Sequence, residues 1–181
     1  MKSILAASLL ASCALALGSC SSTPETQSVA TERTGIESLE YTVIIDAPVE
    51  KVWATMWDPA SYTEWTSPFM EGSYFEGDWS EGSRMHFLAP GGSGMVAVVA
   101  ENRPHEYLSL KNIGFVTNGV EDTTSEAVLS WAPTYENYRF VEASGGTQVF
   151  VEQEIPKGYE EFMNSTWAQV MPLLKSLCET E

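Results

Sequence analysis

Few residues in this chain are placed to do covalent or acid–base chemistry. Proton transfer near neutral pH favours histidine, or a carboxylate whose pKa burial has raised, and the sequence holds only His86 and His105. Period-two geometry in the strand-like run 82–89 sets Met85 and Phe87 on one face and Arg84 and His86 on the other. His86 therefore looks outward, while His105 lies in the turn Arg103-Pro104-His105-Glu106. Cys13, Cys20 and Cys178 form no disulfide framework, and two distant histidines with one remote cysteine do not make a four-ligand zinc site. No Gly-x-Ser-x-Gly elbow, Cys-His pairing, phosphate loop or dinucleotide fingerprint occurs. Tyr138 with Asn112 is the best polar pair available, so no catalytic residue is assigned and no cofactor or metal is expected.

Two of the three cysteines belong to the chain's entry segment. Lys2 followed by the apolar run 4–17 has the charged start and hydrophobic centre of an export signal. The run is too short to span a bilayer as a helix. It ends in Leu17-Gly18-Ser19-Cys20, which resembles the lipobox of bacterial lipoproteins, in which Cys20 would be acylated and become the mature N-terminus. Leu10-Ala11-Ser12-Cys13 competes with it but would leave an apolar core of only 4–10, which favours Cys20. The bland alternative is an ordinary secretory signal with an incidental cysteine. Residues 21–38 are Ser, Thr, Glu, Gln and Pro with little that is apolar, and read as a disordered tether. Residues 39–181 then form one domain of about 140 residues, enough for a single core.

The formal net charge is −16, and one unit more negative once Lys2 leaves with the leader. A surface of that sign has no basic stripe with which to displace counterions, so nucleic acid is excluded as a partner. Adsorption to anionic headgroups is disfavoured for the same reason. A membrane association would run through the lipid anchor.

The elements follow from periodicity. Tyr41, Val43 and Ile45 alternate with Thr42 and Ile44 in a strand over 40–46. Asp46 is placed to cap a helix that Pro48 begins at its first position, with Val49, Val52, Trp53, Met56 and Trp57 on one face. Asp58-Pro59 breaks it, and a further turn delivers Trp65 to the core. Strands are expected over 70–76, 82–89, 95–101 and 107–113, with a hairpin loop at Pro90-Gly91-Gly92-Ser93-Gly94. The stretch 112–122 lacks periodicity and reads as a loop. Thr123 and Glu126 have capping-box spacing, which starts a short helix to about Trp131 with Ala127, Val128 and Trp131 buried. A hairpin of strands 135–142 and 147–154 turns at Ser144-Gly145-Gly146 and faces Tyr138, Phe140, Val149 and Val151 inward. The longest helix covers 158–178 and carries Tyr159, Phe162, Met163, Trp167, Val170, Met171, Leu174 and Leu177 at three- and four-residue steps. Pro172 should bend it.

Three stretches together carry a family resemblance. They are Ile45-Asp46-Ala47-Pro48 with Val52-Trp53 and Asp58-Pro59; Glu136-Asn137-Tyr138-Arg139-Phe140 with Gly145-Gly146-Thr147; and Glu160-Glu161-Phe162 with Trp167 and Leu174-Lys175. This pattern, over about residues 40–178, resembles the START and SRPBCC superfamily, in the branch similar to the heat-shock ATPase activator homologues. The resemblance implies an α+β helix-grip fold, a curved antiparallel sheet of about seven strands wrapped on a long C-terminal helix. It also implies a small hydrophobic ligand held between sheet and helix.

Three function classes remain open, because a fold shared by carriers, cyclases and co-chaperone modules does not choose among them. The first is a binding protein whose cavity draws on Trp65, Met85, Phe87, Leu110, Trp131, Tyr138, Phe140, Phe162 and Trp167, with Asn112 supplying a polar contact. The plain alternative for each aromatic is core packing. The second is a cyclase- or hydrolase-like enzyme using the same cavity. The third is an envelope protein-interaction module, for which Phe150, phased to the outer face of its strand, is the candidate contact. An exported chain would not meet the cytosolic chaperone. With Ser21 rather than aspartate after Cys20, the expected location is the cell envelope, lipid-anchored, on the outer-membrane or periplasmic side.

Overall fold

The computed structural model describes residues 34–180. The export segment, Cys13, Cys20 and most of the tether lie outside the described residues. The first strand, β1 (Ile36–Ile45), begins inside the stretch assigned to the tether, because its backbone pairs from Ile36↔Pro156 onward. Alternation buries or half-buries Tyr41, Val43 and Ile45 and turns Thr42 and Ile44 to solvent.

Helix α1 (Val49–Trp57) follows, with Pro48 in the capping position and no side-chain cap. Asp46 does not serve that helix: its backbone N–H donates to Glu179 Oε1 at 2.6 Å. Asp58 is the cap of the next helix, α2 (Pro59–Trp65), where Oδ1 accepts from the N–H groups of Ala60 and Ser61 at 3.0 and 3.2 Å. An aspartate there satisfies two orphan donors while Pro59 removes a third.

The chain then runs through β2 (Tyr74–Glu76), β3 (Arg84–Leu88), β4 (Gly94–Arg103) and β5 (Tyr107–Thr117). The expected loop over 112–122 is instead a hairpin: β5 continues to Thr117 and β6 (Val120–Asp122) pairs back on it through Thr117↔Val120. Asn118 and Gly119 make the turn with φ of 52° and 76°, the pair of positive angles that Asn-Gly favours in two-residue hairpins. Close passage of the two strands needs Gly114, where an added Cβ would lie 2.1 Å from the carbonyl oxygen of Asp122.

The short helix α3 (Glu126–Leu129) is capped by Ser125, whose Oγ accepts from the Val128 N–H at 3.3 Å. The expected Thr123 cap is therefore displaced by two residues, with Asp122 Oδ1 taking the N–H groups of Thr124 and Ser125. The helix ends before Trp131, and only Val128 of the expected apolar face is buried.

Strands β7 (Thr134–Ala143) and β8 (Gly146–Pro156) form the predicted hairpin, and α4 (Glu160–Glu179) closes the chain. Eight antiparallel strands make one sheet in the order β1-β8-β7-β5-β4-β3-β2, with β6 pairing on β5. The architecture is α+β and helix-grip, as the sequence implied. Trp167, Val170, Met171, Leu174 and Cys178 of α4 join Ile45, Val149, Val151, Leu108 and Phe140 of the sheet in one core. Burying each such side chain stabilises the fold by roughly 1.5–3 kcal/mol. Exposed Pro172 lies within α4, and the helix runs through it unbroken.

Candidate ligand cavity

Sheet and helices do not meet everywhere. Between α2 and the inner faces of β3, β4, β5 and β7 a cavity of about 530 Å³ is left, within the size range of small-molecule sites. The helical side contributes Trp57, Tyr62 and Trp65, followed by Phe69 from the turn after α2. The sheet side contributes Phe87, Met95, Leu110, Asn112, Val116, Glu136 and Tyr138, with Gln153 from β8 and Met163 from α4.

The helical wall is held from behind. The Trp65 indole N–H donates to the Met56 carbonyl at 3.0 Å, and the Thr66 hydroxyl to that of Tyr62 at 2.6 Å. The rings then pack edge to face: Tyr62 on Trp65 at 5.2 Å, Trp57 on Trp65 at 6.5 Å and Trp57 on Tyr138 at 5.1 Å between centroids. Such pairs add about 0.5–1.5 kcal/mol each beyond burial. The Trp57 indole N–H is itself buried, without a hydrogen-bond partner or surface open to the cavity.

A polar relay crosses the floor. Buried Trp167 donates its indole N–H to Gln153 Oε1 at 2.9 Å, and Gln153 Nε2 donates to Glu136 Oε2 at 3.0 Å. The Tyr138 hydroxyl donates to the other oxygen, Oε1. Fixing Gln153 by its amide oxygen leaves its NH₂ only one way to point, so the carboxylate is met by two neutral donors. Burial pushes the Glu136 carboxyl above its usual range, while those two hydrogen bonds pull the other way. Burial and the facing Glu136 raise both Tyr62 and Tyr138, which are phenols rather than phenolates across the physiological range. Among the described residues Glu136 is the one carboxylate lining the cavity, with no lysine, arginine or histidine in that lining.

Five of the residues expected at a site line this space: Trp65, Phe87, Leu110, Asn112 and Tyr138. The other five do not. Met85 and Phe140 are buried in the solid core, and Phe140 packs against Trp53 at 5.1 Å. Trp167 is 1% exposed and acts behind the wall, through Gln153. Trp131 sits outside, against Phe115 at 5.0 Å, because α3 ends too early to carry it inward. Phe162 is 51% exposed, since the buried face of α4 starts only at Thr166.

Glu136 was missed. Period two from inward-facing Tyr138 and Phe140 places it on the inner face, and a carboxylate in phase with core aromatics was the available signal. The outward groups are accounted for elsewhere. His86 and Arg84 converge on Glu121 of β6, at 2.7 and 3.2 Å. His105, at φ 68°, packs edge-on to Trp53. Phe150 is half-buried beneath the Arg139 guanidinium, 3.8 Å above its ring, so it is no bare contact patch. Among the described residues no group of three His, Cys, Asp or Glu is placed to hold a metal, and no helix is long and apolar enough to cross a membrane.

Comparison with solved structures agrees with this architecture. A Chromobacterium violaceum protein is 21% identical, with a TM-score of 0.59 over 80% of this chain and 98% of that one. The Aha1 dimer from Colwellia psychrerythraea is 17% identical, with a TM-score of 0.60 over 79% and 96%. DynU16, from the dynemicin biosynthetic locus, is 16% identical, with a TM-score of 0.59 over 79% of this chain and 47% of its own. At these identities the likeness concerns the fold. No curated protein matches the sequence. The family model described as activator of Hsp90 ATPase homolog 1-like protein matches residues 46–179, from the residue that follows β1 to the last turn of α4, and the chain belongs to that family.

Proposed function

We propose that the protein is a lipid-anchored component of the cell envelope that binds a small apolar or amphipathic molecule in the cavity under α2. The observation that carries this reading is the cavity itself: about 530 Å³, walled by aromatic and aliphatic side chains, with one short polar cluster on its floor. A domain selected only for stability would fill such a space, because voids lose dispersion contacts with nothing gained. The anchor rests on Cys20 in Leu17-Gly18-Ser19-Cys20 and on the preceding apolar run.

Native mass spectrometry of the protein purified from its own host, followed by solvent extraction, tests both parts. The expected spectrum shows a covalent acyl mass on Cys20 and a non-covalent mass that extracts as a small apolar compound. A bare chain that also takes up no hydrophobic probe would overturn the binding reading. An unmodified Cys20 would overturn the anchor.

One observation favours a second reading, proton transfer on a substrate in the same cavity. Glu136 is a half-buried carboxylate in hydrogen-bond contact with a phenol, the kind of group whose raised pKa suits general acid–base work. Turnover of a substrate panel that vanishes in Glu136→Gln would establish it; a panel left untouched by the wild-type protein would leave binding as the whole function.

A further inference from the structure

Resting on the cavity reading above, we infer that the ligand is an organic cation: a molecule with an apolar body and an ammonium head, seated with its charge against Glu136 and the surrounding aromatic rings. Among the described residues the floor of the cavity holds one carboxylate and no basic side chain to neutralise it. The groups that do meet Glu136, the Tyr138 hydroxyl and the Gln153 amide, are neutral donors, one to each oxygen. A carboxylate can accept about four hydrogen bonds, so capacity is left for a donor arriving from the cavity. Glu136 is half-buried, opening on the cavity, and a carboxylate so far withdrawn from water without a counter-cation is destabilising. A ligand that brings the cation would relieve that penalty on binding.

The rings beside it have the right character. Trp57 packs on Tyr138 at 5.1 Å and on Trp65 at 6.5 Å, and Tyr62 packs on Trp65 at 5.2 Å. Trp57, Tyr62 and Trp65 line the helical side of the cavity and Tyr138 the sheet side, and aromatic faces carry the negative potential that attracts ammonium groups, tryptophan most strongly. The two tyrosines remain neutral, because burial and Glu136 raise both phenols, so they act as ring faces and hydrogen-bond donors. The unpartnered Trp57 indole N–H, which would instead suit an acceptor, is shut off from the cavity surface. The chain's formal charge of −16 acts in the same direction at longer range, raising the local concentration of cations.

Three ligands of one chain length separate this inference from the reading beneath it: octylammonium, octanol and octanoate, titrated calorimetrically into the whole protein and into Glu136→Gln. The substitution can fold with the relay intact. The Gln153 amide still donates to the new side-chain oxygen, and the new NH₂ donates to the Tyr138 oxygen. The expected order is cation, then alcohol, then carboxylate, with the cation about tenfold tighter than the alcohol. In Glu136→Gln that advantage should fall to within about twofold, the cation losing more affinity than the alcohol.

A cation preference that survives Glu136→Gln at 0.15 M salt would overturn the inference by assigning it to the general surface charge. Octanol or octanoate binding as tightly as the cation would overturn it while leaving the apolar cavity in place. No binding by any of the three would overturn both. Should Glu136→Gln not fold, the wild-type titrations are repeated at about 1 M salt: a cation advantage that persists belongs to the sheltered carboxylate, and one that salt removes belongs to the surface charge and overturns the inference.

Discussion

One sheet face behaves in two ways. Where β1, β7 and β8 meet the second half of α4, the inner surface is solid: Ile45, Val149, Leu174 and Cys178 show no exposure. Where β3, β4 and β5 meet α2, it is hollow. The same long helix serves both regions. From Thr166 onward α4 fills the core, and before that point it contributes only Met163 to the cavity while Phe162 faces solvent. The relay of Trp167, Gln153, Glu136 and Tyr138 lies on the border, anchored in the solid half and ending in the hollow one. Rigidity on one side is what allows an open, polar-floored space on the other, since a site holds its geometry only if its supporting side chains cannot move.

Truncations to alanine on the two sides should therefore fail differently, the larger one costing the fold less. Leu174→Ala removes three buried carbons from the solid half and should destabilise the fold by about 2–5 kcal/mol, read as a fall in the denaturant midpoint at unchanged slope. Phe87→Ala enlarges a space that is already open. The fold should lose less than about 1.5 kcal/mol, while affinity for a fluorescent lipid probe should drop about tenfold. If Phe87→Ala destabilised the fold as much as Leu174→Ala, the two halves would be one core, and the cavity a packing defect.

Glu136 sharpens the border between them. Its folded-state pKa is raised by burial, so the native chain binds its proton more tightly than the unfolded chain does. Stability contributed by this group therefore falls as pH rises through the ordinary carboxylate range toward the raised value, and stays lower above it. Glu136→Gln removes that penalty and keeps the relay. The ligand-free variant should melt above the wild type at pH 7, by about 1 kcal/mol, and the gap should close as pH falls below the ordinary carboxylate range. Such a gain would mark Glu136 as retained for the ligand at the expense of stability. Melting curves that coincide at every pH would mean the carboxylate is as well solvated as in water.

The solid half was the legible one. Strict alternation in β7 and β8, and the three- and four-residue steps of α4, name its core residues directly. The hollow half resisted for local reasons. The β4–β5 pairing shifts register twice, with Ile113 of β5 extra at Val96/Ala97 and Ala100 of β4 extra at Val99/Glu101. β4 also packs on both sides, Val99 in the main core and Val96 in a second cluster with Leu88 and Val116, so 95–101 reads as apolar on both faces. The hairpin at Asn118-Gly119 was written in its turn residues rather than in any periodicity, because three-residue β6 is too short to have one. Glu136 followed the same alternation as Tyr138 and Phe140, but charge alone suggests an outward face. Only the packed neighbours show that a carboxylate is held inside.

The smallest effect is expected at Phe162, where sequence and structure part most clearly. Helical spacing puts it in line with Met163 and Trp167, yet the buried face of α4 begins one turn later, and the ring is 51% exposed. The reason lies in how the helix starts. Glu160 accepts from the Gly158 N–H at 2.9 Å, and Tyr41 reaches Asn164 with its hydroxyl at 3.1 Å. Tyr41 also stacks on Trp167 at 5.2 Å, so this ring, not Phe162, fills the space against the indole. Phe162→Ala should leave both the midpoint and probe affinity unchanged, within about 0.5 kcal/mol. A tenfold loss of probe binding would instead mean that the first turn of α4 folds over the cavity when ligand enters, and the division between solid and hollow halves would then hold only for the empty protein.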